Sequence, residues 1–253
     1  MNAQDVFAEQ FGELVGRGAQ AAVYARGDIA VKVYRPGYQK EYVFYEAAIM
    51  AFVETTGLPV PKAYEVLCVH GQMALKMSRV YGRSLNQLML AALGKVPEIL
   101  DVLVDLQRKT QAQRILLQAR LKHKLRALIA GNPELNAARK EKLLHICDQL
   151  PEGEALCHGD FHGDNILCQD GAYTIIDWID ASIGSPLGDA CRTYLDYSFG
   201  DLTLAELYLS KYCAASGAKR EDVLRWLPVQ AGSMLGAMPP KFNLRLMECI
   251  DGA

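Results

Sequence analysis

His158-Gly159-Asp160-Phe161-His162-Gly163-Asp164-Asn165-Ile166-Leu167, followed by Thr174-Ile175-Ile176-Asp177-Trp178, is the stretch on which the reading of this chain turns. It sets an Asp two residues after a His, an Asn five residues after that Asp, and a further Asp at the end of an apolar run. Moving a phosphoryl group asks little covalent chemistry of a protein. It needs one carboxylate to take the proton of the attacking hydroxyl and hard oxygen ligands to hold magnesium on the phosphates. Asp160 suits the first task, and the Asn165 amide oxygen and the Asp177 carboxylate suit the second.

Between these groups, Asn165 to Cys168 and Ala172 to Ile176 are short β-rich runs separated by Asp170-Gly171, a strong two-residue hairpin signal. The hairpin is expected to bring Asp177 back beside Asn165. The step from Asp160 to Asn165 also matches the H-x-D-x-x-x-x-N loop of protein kinases, with Gly159 in place of the Arg.

Working outward, Glu13 to Tyr34 reads as three strands with turns at Gly16-Arg17-Gly18 and Arg26-Gly27-Asp28. The last strand, Ile29 to Tyr34, carries Lys32 in the middle of a β-branched run. Alternation sends Val31 and Val33 to one face, so Lys32 must face away from that core or toward an anion. A helix from about Gln39 to Thr55 follows, ended by Gly57 and Pro59-Val60-Pro61. Strands near Ala63 to His70 and Met73 to Ser78 come next. After a short crossover at Arg79 to Gly82 the pattern turns helical: about Leu85 to Leu93, Val96 to Gln113, Leu116 to Ala130, and Pro133 to Gln149, the last capped by Asn132. Helices return near Asp189 to Tyr197, Leu202 to Ser216, and from Arg220 to the end.

The expected fold is therefore α+β and two-lobed, protein-kinase-like. A small antiparallel-sheet lobe spans residues 1–79, and a larger helical lobe with the catalytic loop and acceptor site spans 80–253. Of the 253 residues 51% are hydrophobic and the net charge is −2, which gives no footprint for nucleic acid. No apolar stretch reaches the roughly 18 residues of a membrane span, and the start lacks a basic region followed by an apolar one. The expectation is a cytoplasmic protein with no membrane partner. Seven scattered cysteines without a C-x-x-C pair read as reduced core residues.

These residues resemble the aminoglycoside phosphotransferase family, the small-molecule kinases of the protein-kinase-like fold. The resemblance rests on His158 to Asn165 and on Ile175-Ile176-Asp177-Trp178-Ile179-Asp180-Ala181 with Gly184 and Asp189-Ala190. It is supported by Pro59-Val60-Pro61 and Gly82-Arg83-Ser84-Leu85. It implies an ATP- and Mg2+-dependent transfer of the γ-phosphate to a hydroxyl of a small molecule, with GTP left open as donor. Asp160 would be the base, and Asn165 and Asp177 the metal ligands. Asp189 would brace the loop, and His158 would tie it to the core. Lys32 would hold the α- and β-phosphates with Glu46 as its ion-pair partner, preferred over Glu41 because it opens the apolar run Ala47-Ala48-Ile49-Met50. The base of the nucleotide would lie among Val23, Ala30, Met77, Leu167 and Ile176, its edge meeting backbone groups of Ser78 to Val80. Gly16 and Gly18 begin a phosphate loop that departs from the kinase pattern, since Ala21 stands where the third Gly would be.

Other readings compete. Gly159-Asp160-Phe161-His162-Gly163 is also similar to the Gly-Asp-x-His-Gly run of metallophosphoesterases, which would require further His and Asp clusters. A non-catalytic nucleotide-binding protein on the same fold would normally have lost the lysine, the base or the metal ligands, and all are present. Direct roles for His162, Asp164 and Asp180 stay open, as does the oligomeric state. Ten Lys and Arg residues between Arg108 and Lys142 read mainly as a solvated face. If some lined the acceptor site they would favour a neutral or anionic acceptor over a polycationic aminoglycoside.

Overall fold

The computed structural model describes residues 3–252, with side chains from Asp5 to Gly252. The chain divides into two units. One comprises the residues up to Ser84 together with Ile166–Ile179, and the other comprises Leu85–Asn165 together with the residues from Asp180 on. This differs from a single cut between 79 and 80. The crossover stays with the first unit, and so does the hairpin that the sequence reading assigned to the second.

In the first unit, alternation across Ile29-Ala30-Val31-Lys32-Val33-Tyr34 produces a strand with two distinct faces. The elements are α1 (Ala3–Phe11), β1 (Glu13–Arg17), β2 (Ala21–Arg26), β3 (Ile29–Tyr34), α2 (Lys40–Glu54), β4 (Ala63–Val69) and β5 (Gln72–Ser78). The strands form an antiparallel sheet in the order β1-β2-β3-β5-β4. Val31 and Val33 lie in an apolar cluster with Phe7, Tyr24 and Ala74. Phe7 comes from α1, a helix absent from the expected elements, whose signal is Phe7 and Phe11 four residues apart with stacked rings. Cross-strand partners share a face, so the pairs Val23 with Lys32 and Ala30 with Met77 put all four residues on the face opposite that cluster.

The hairpin completes this unit. β6 (Arg83–Ser84) pairs with β8 (Ile166–Gln169), and β8 with β9 (Ala172–Ile175). Asp170 and Gly171 both take positive φ, 50° and 82°, as a tight primed turn requires. The Ile175 N–H donates to Pro59 O at 2.8 Å, which fastens β9 to the Pro59-Val60-Pro61 turn.

The second unit holds α3 (Leu85–Ala91), α4 (Val96–Gln111), α5 (Leu121–Gly131), α6 (Ala137–Gln149), β7 (Ala155–Cys157), β10 (Ser182–Gly184), α7 (Pro186–Ser198), α8 (Leu202–Ser216), α9 (Arg220–Leu224), α10 (Leu227–Met234) and α11 (Asn243–Asp251). β7 and β10 pair antiparallel. Three boundaries correct the sequence expectation. α5 starts at Leu121 instead of Leu116, because the chain before it is extended against the β-pair: Leu156 N–H donates to Gln113 O and Ile183 N–H to Ala119 O. α6 is capped by Asn136, whose side chain accepts from Arg139 N–H at 2.9 Å. Asn132 is not its cap, since the Asn132 amide donates to the carbonyls of Gly232 and Leu235. The expected single helix from Arg220 is three, with Pro228 opening α10 and Pro239-Pro240 preceding α11. Four cysteines are buried, whereas Cys68 faces solvent and so is no core residue.

Candidate active site

Lys32 is the centre of a polar cluster in the first unit. Its Nζ donates to Glu46 Oε1 at 2.7 Å and to Asp177 Oδ1 at 3.0 Å. Glu46 lies on the buried face of α2, and its other oxygen accepts from the Tyr34 hydroxyl at 2.6 Å. Glu41, the rival partner, is exposed. Burial alone would lower the Lys32 ammonium, but Asp177 and Glu46 outweigh it and push the pKa up to about 12. The lysine is thus held as a cation despite burial that leaves only 15% of its side chain exposed. Asp177 takes φ = 62°, a left-handed conformation that Asp tolerates better than most residues. The next residue, Trp178, is fully buried and its Nε1 donates to Ile175 O, while the Asp177 side chain stays 42% exposed.

Around this cluster, Ala30 is buried and Val23, Met77, Leu167 and Ile176 are half-buried. The backbone N–H groups of Ser78 and Arg79 already donate to Lys62 O and Asp28 O. An adenine edge would have to use the carbonyls of this segment or Val80. Gly16 lies in β1 opposite Val23, so the expected first turn is moved to residues 18–20. The Gly18 N–H closes that turn onto Ala21 O at 2.9 Å and is not a free phosphate donor. Neither glycine has positive φ, and a Cβ would fit at either.

In the second unit Asp160 sits on the loop between β7 and a single 3-10 turn at Gly163–Asn165. Gly159 is required there, because its φ is +84° and a Cβ would lie 2.5 Å from Asp180 O. This is the physical reason for Gly in place of the kinase Arg. The Asp160 Oδ1 accepts from Arg192 Nη2 at 2.9 Å. Its Oδ2 accepts from Asn165 Nδ2 at 3.1 Å and pairs with His162 Nε2 at 3.3 Å. Burial alone would raise the Asp160 carboxyl. The His162 hydrogen bond and the Arg192 guanidinium, with the His158 and His162 charges, outweigh it and hold the group well below the usual carboxylate range. The Asn165 amide N–H groups are spent on Asp160, including its carbonyl at 2.9 Å. That leaves the amide oxygen, the ligand type magnesium accepts, for a cation.

The two residues expected as supports, His158 and Asp189, both lie against the loop. His158 is fully buried, edge-on to Phe161, and its Nδ1 accepts from Asp160 N–H. Asp189 is buried, with Oδ1 accepting from Gly159 N–H at 2.8 Å and Oδ2 from the amides of Gln107 and Gln111. Asp164 is bound by Asn86, and Asp180 by Lys124. Tyr34, Arg192, Asp196, Gln107 and Gln111 join these clusters without being among the residues expected from the sequence. Arg192 and Asp196 were signalled only as part of a polar stripe on α7 with Asp189, Thr193 and Tyr197, a pattern indistinguishable from a solvated face. Arg192 also pairs with Asp196, whose carboxyl burial pushes up to about 6 against the pull of Arg192.

The basic stretch does not carry the acceptor argument. Lys109 pairs with Asp105, Arg120 with Glu154, Lys122 with Glu152, Lys124 with Asp180, Arg126 with Asp148 and Arg139 with Asp251. Arg114, Lys140 and Lys142 bind carbonyls. With nine of its ten cations so engaged, this stretch gives no ground for preferring an anionic acceptor. Among the described residues no group of three or more His, Cys, Asp or Glu side chains could hold a metal ion, and no helix is long and apolar enough to cross a membrane.

A five-stranded sheet with a lysine held by a helix glutamate, and a helical unit carrying an H-G-D-x-x-x-x-N loop, together define a kinase-like small-molecule phosphotransferase. Comparison with known proteins agrees: the model of the APH phosphotransferase enzyme family matches residues 12–227, and the chain belongs to that family. No curated protein sequence matches it. A thermostable mutant of aminoglycoside phosphotransferase APH(4)-Ia, in ternary complex with AMP-PNP and hygromycin B, is 14% identical. The match covers 100% of this chain and 97% of that one with a TM-score of 0.71. Amicoumacin kinase hAmiN in complex with AMP-PNP, Ca2+ and Ami is also 14% identical, with 100% and 94% covered and a TM-score of 0.67. A choline/ethanolamine kinase family protein from Mesorhizobium loti is 18% identical, with 95% and 84% covered and a TM-score of 0.60. At these identities the structural likenesses establish the fold.

Proposed function

We propose that this protein moves the γ-phosphate of ATP to a hydroxyl of a small acceptor molecule, in the cytoplasm, with Asp160 as the base. What supports the reading most is Asp160 itself, an ionised carboxylate held on a loop by Arg192, His162 and the Asn165 amide. Lys32, kept cationic by Glu46 and Asp177, holds the α- and β-phosphates. Val23, Ala30, Met77, Leu167 and Ile176 supply the apolar surface for the base. Asn165 and Asp177 would hold Mg2+, which when bound neutralises charge on the β- and γ-oxygens. The Asn165 oxygen left over from its bonds to Asp160 and the half-exposed Asp177 carboxylate are each of the hard oxygen type that such an ion takes.

Asp160 orients the acceptor hydroxyl and receives its proton as the O–P bond forms and the bond to the β-phosphate oxygen breaks. A carboxylate of low basicity suits this step, since in a loose transition state the proton leaves late. The test is ADP release with ATP or GTP and Mg2+ across amino alcohols, sugars, nucleosides and aminoglycosides, with Asp160→Ala as control. Release stimulated by one acceptor and lost in the control supports the reading and names the acceptor class. Nucleotide binding without stimulated release by any acceptor would favour a binding protein. Full activity in Asp160→Ala would refute the assignment of the base.

A further inference from the structure

We infer that Arg192, anchored by Asp196, is the positioning residue that sets the angle of the Asp160 carboxylate, and that one stripe of α7 acts as the frame for the whole catalytic loop. This rests on the phosphotransferase reading, since it assigns a function to a contact with the base.

The loop meets α7 at four of its residues. Gly159 N–H donates to Asp189 Oδ1 at 2.8 Å, and Asp160 Oδ1 accepts from Arg192 at 2.9 Å. Phe161 O accepts from Thr193 Oγ1 at 2.8 Å, and Gly163 N–H donates to the Tyr197 hydroxyl at 3.1 Å. The helix residues stand at i, i+3, i+4 and i+8, which is one stripe of an α-helix. Loop backbone and loop side chain are therefore registered against a single rigid element.

Within that frame Arg192 has a distinct task. Among the described residues, the Asp160 Oδ2 is met by side chains of its own loop, Asn165 and His162, and these move with it. Among the described residues, Arg192 provides the hydrogen bond to the carboxylate from outside the loop, and it does so on the other oxygen. With Oδ1 and Oδ2 held from opposite origins, the carboxylate is blocked from turning about its Cβ–Cγ bond. Arg192 is itself fixed, one branch of the guanidinium on Asp196 a turn further along α7 and on Met234 Sδ of α10 at 3.0 Å. The fork geometry matters, because a guanidinium can bind two carboxylates in fixed directions and an ammonium cannot. Misplacing a reacting group by about 1 Å can cost on the order of 10²-fold in rate, and that is the scale expected here.

The experiment uses the full chain with Arg192→Ala, Arg192→Lys and Asp196→Asn, measuring acceptor-dependent turnover, nucleotide Kd and amide hydrogen exchange of residues 159–163. The expectation for Arg192→Ala is roughly a 10²-fold fall in kcat, unchanged nucleotide Kd, faster exchange in the loop, and partial recovery by millimolar guanidinium. Arg192→Lys should recover part of the rate, and Asp196→Asn should lose less than Arg192→Ala. A rate within twofold of wild type in Arg192→Ala, with loop exchange unchanged, overturns the positioning role while leaving the phosphotransferase reading intact. An inactive wild type overturns that reading instead. Should Arg192→Ala fail to fold, Arg192→Lys decides: a rate and an exchange profile equal to wild type would sink the proposal.

Discussion

The two polar clusters are electrostatic opposites. In the first unit one cation, Lys32, lies between two carboxylates, Glu46 and Asp177; in the second the Asp160 carboxylate lies between His162 and the cation Arg192, which it shares with Asp196. Burying a charge without a partner is costly, and each unit meets that cost with partners of the opposite sign. The central group is thereby locked in one ionisation state, Lys32 raised to about 12 and Asp160 depressed. Under the proposed function the difference is a division of labour, in which the positive centre would take phosphate and the negative one a hydroxyl proton.

That division can be broken by experiment. The largest effect is expected at the negative centre. Asp160→Asn should reduce turnover by roughly 10²–10⁴-fold while nucleotide Kd stays as in wild type. If nucleotide binding falls in step with turnover, the two centres do not divide the work. At the positive centre, Lys32→Gln should lower kcat/KM by about 10²-fold and weaken nucleotide binding as well, visible in titrations with AMP-PNP. Removing the Tyr34 hydroxyl with Tyr34→Phe leaves a buried Glu46 oxygen without its donor, at a cost of about 1–3 kcal/mol. Urea unfolding should report that loss, and turnover should change far less than in Lys32→Gln. The smallest effect is expected remote from both clusters. Asn136→Ala should cost about 1 kcal/mol through the lost cap of α6 and leave turnover untouched. A turnover defect there would mean that helix ends in the second unit feed into the catalytic loop.

The positive centre was largely legible in the sequence. A lysine inside a β-branched strand and a glutamate opening an apolar helical run are local patterns, and each implies a direction for its side chain. The loop was legible for the same reason, since His158, Asp160 and Asn165 carry their meaning in their spacing. What surrounds Asp160 was not. Arg192 lies 32 residues from Asp160, and the stripe it shares with Asp189, Thr193 and Tyr197 looks like any solvent-facing stripe until the loop is laid against it. Asn132 shows the same limit: next to a proline it reads as a cap, whereas its amide serves carbonyls 100 and 103 residues away. The breaks at Pro228 and Pro239-Pro240 are different, because the signal was present in the residues themselves. Gly16 and Gly18 warn in the other direction, since a glycine pattern was present but the backbone there makes no use of it.

The insertion of Leu85–Asn165 into the first unit has a consequence for how the protein is made. A ribosome that has released residues up to Ser84 has supplied every strand of the five-stranded sheet, yet β6 and the Pro59 carbonyl still lack partners, which lie in residues 166–179. At roughly 5–20 residues per second, the intervening stretch delays them by on the order of ten seconds. During that interval Lys32 has Glu46 but not Asp177. The nascent chain therefore completes its lysine cluster only after the catalytic loop has been synthesised, and a chain arrested between the two would carry an open strand edge.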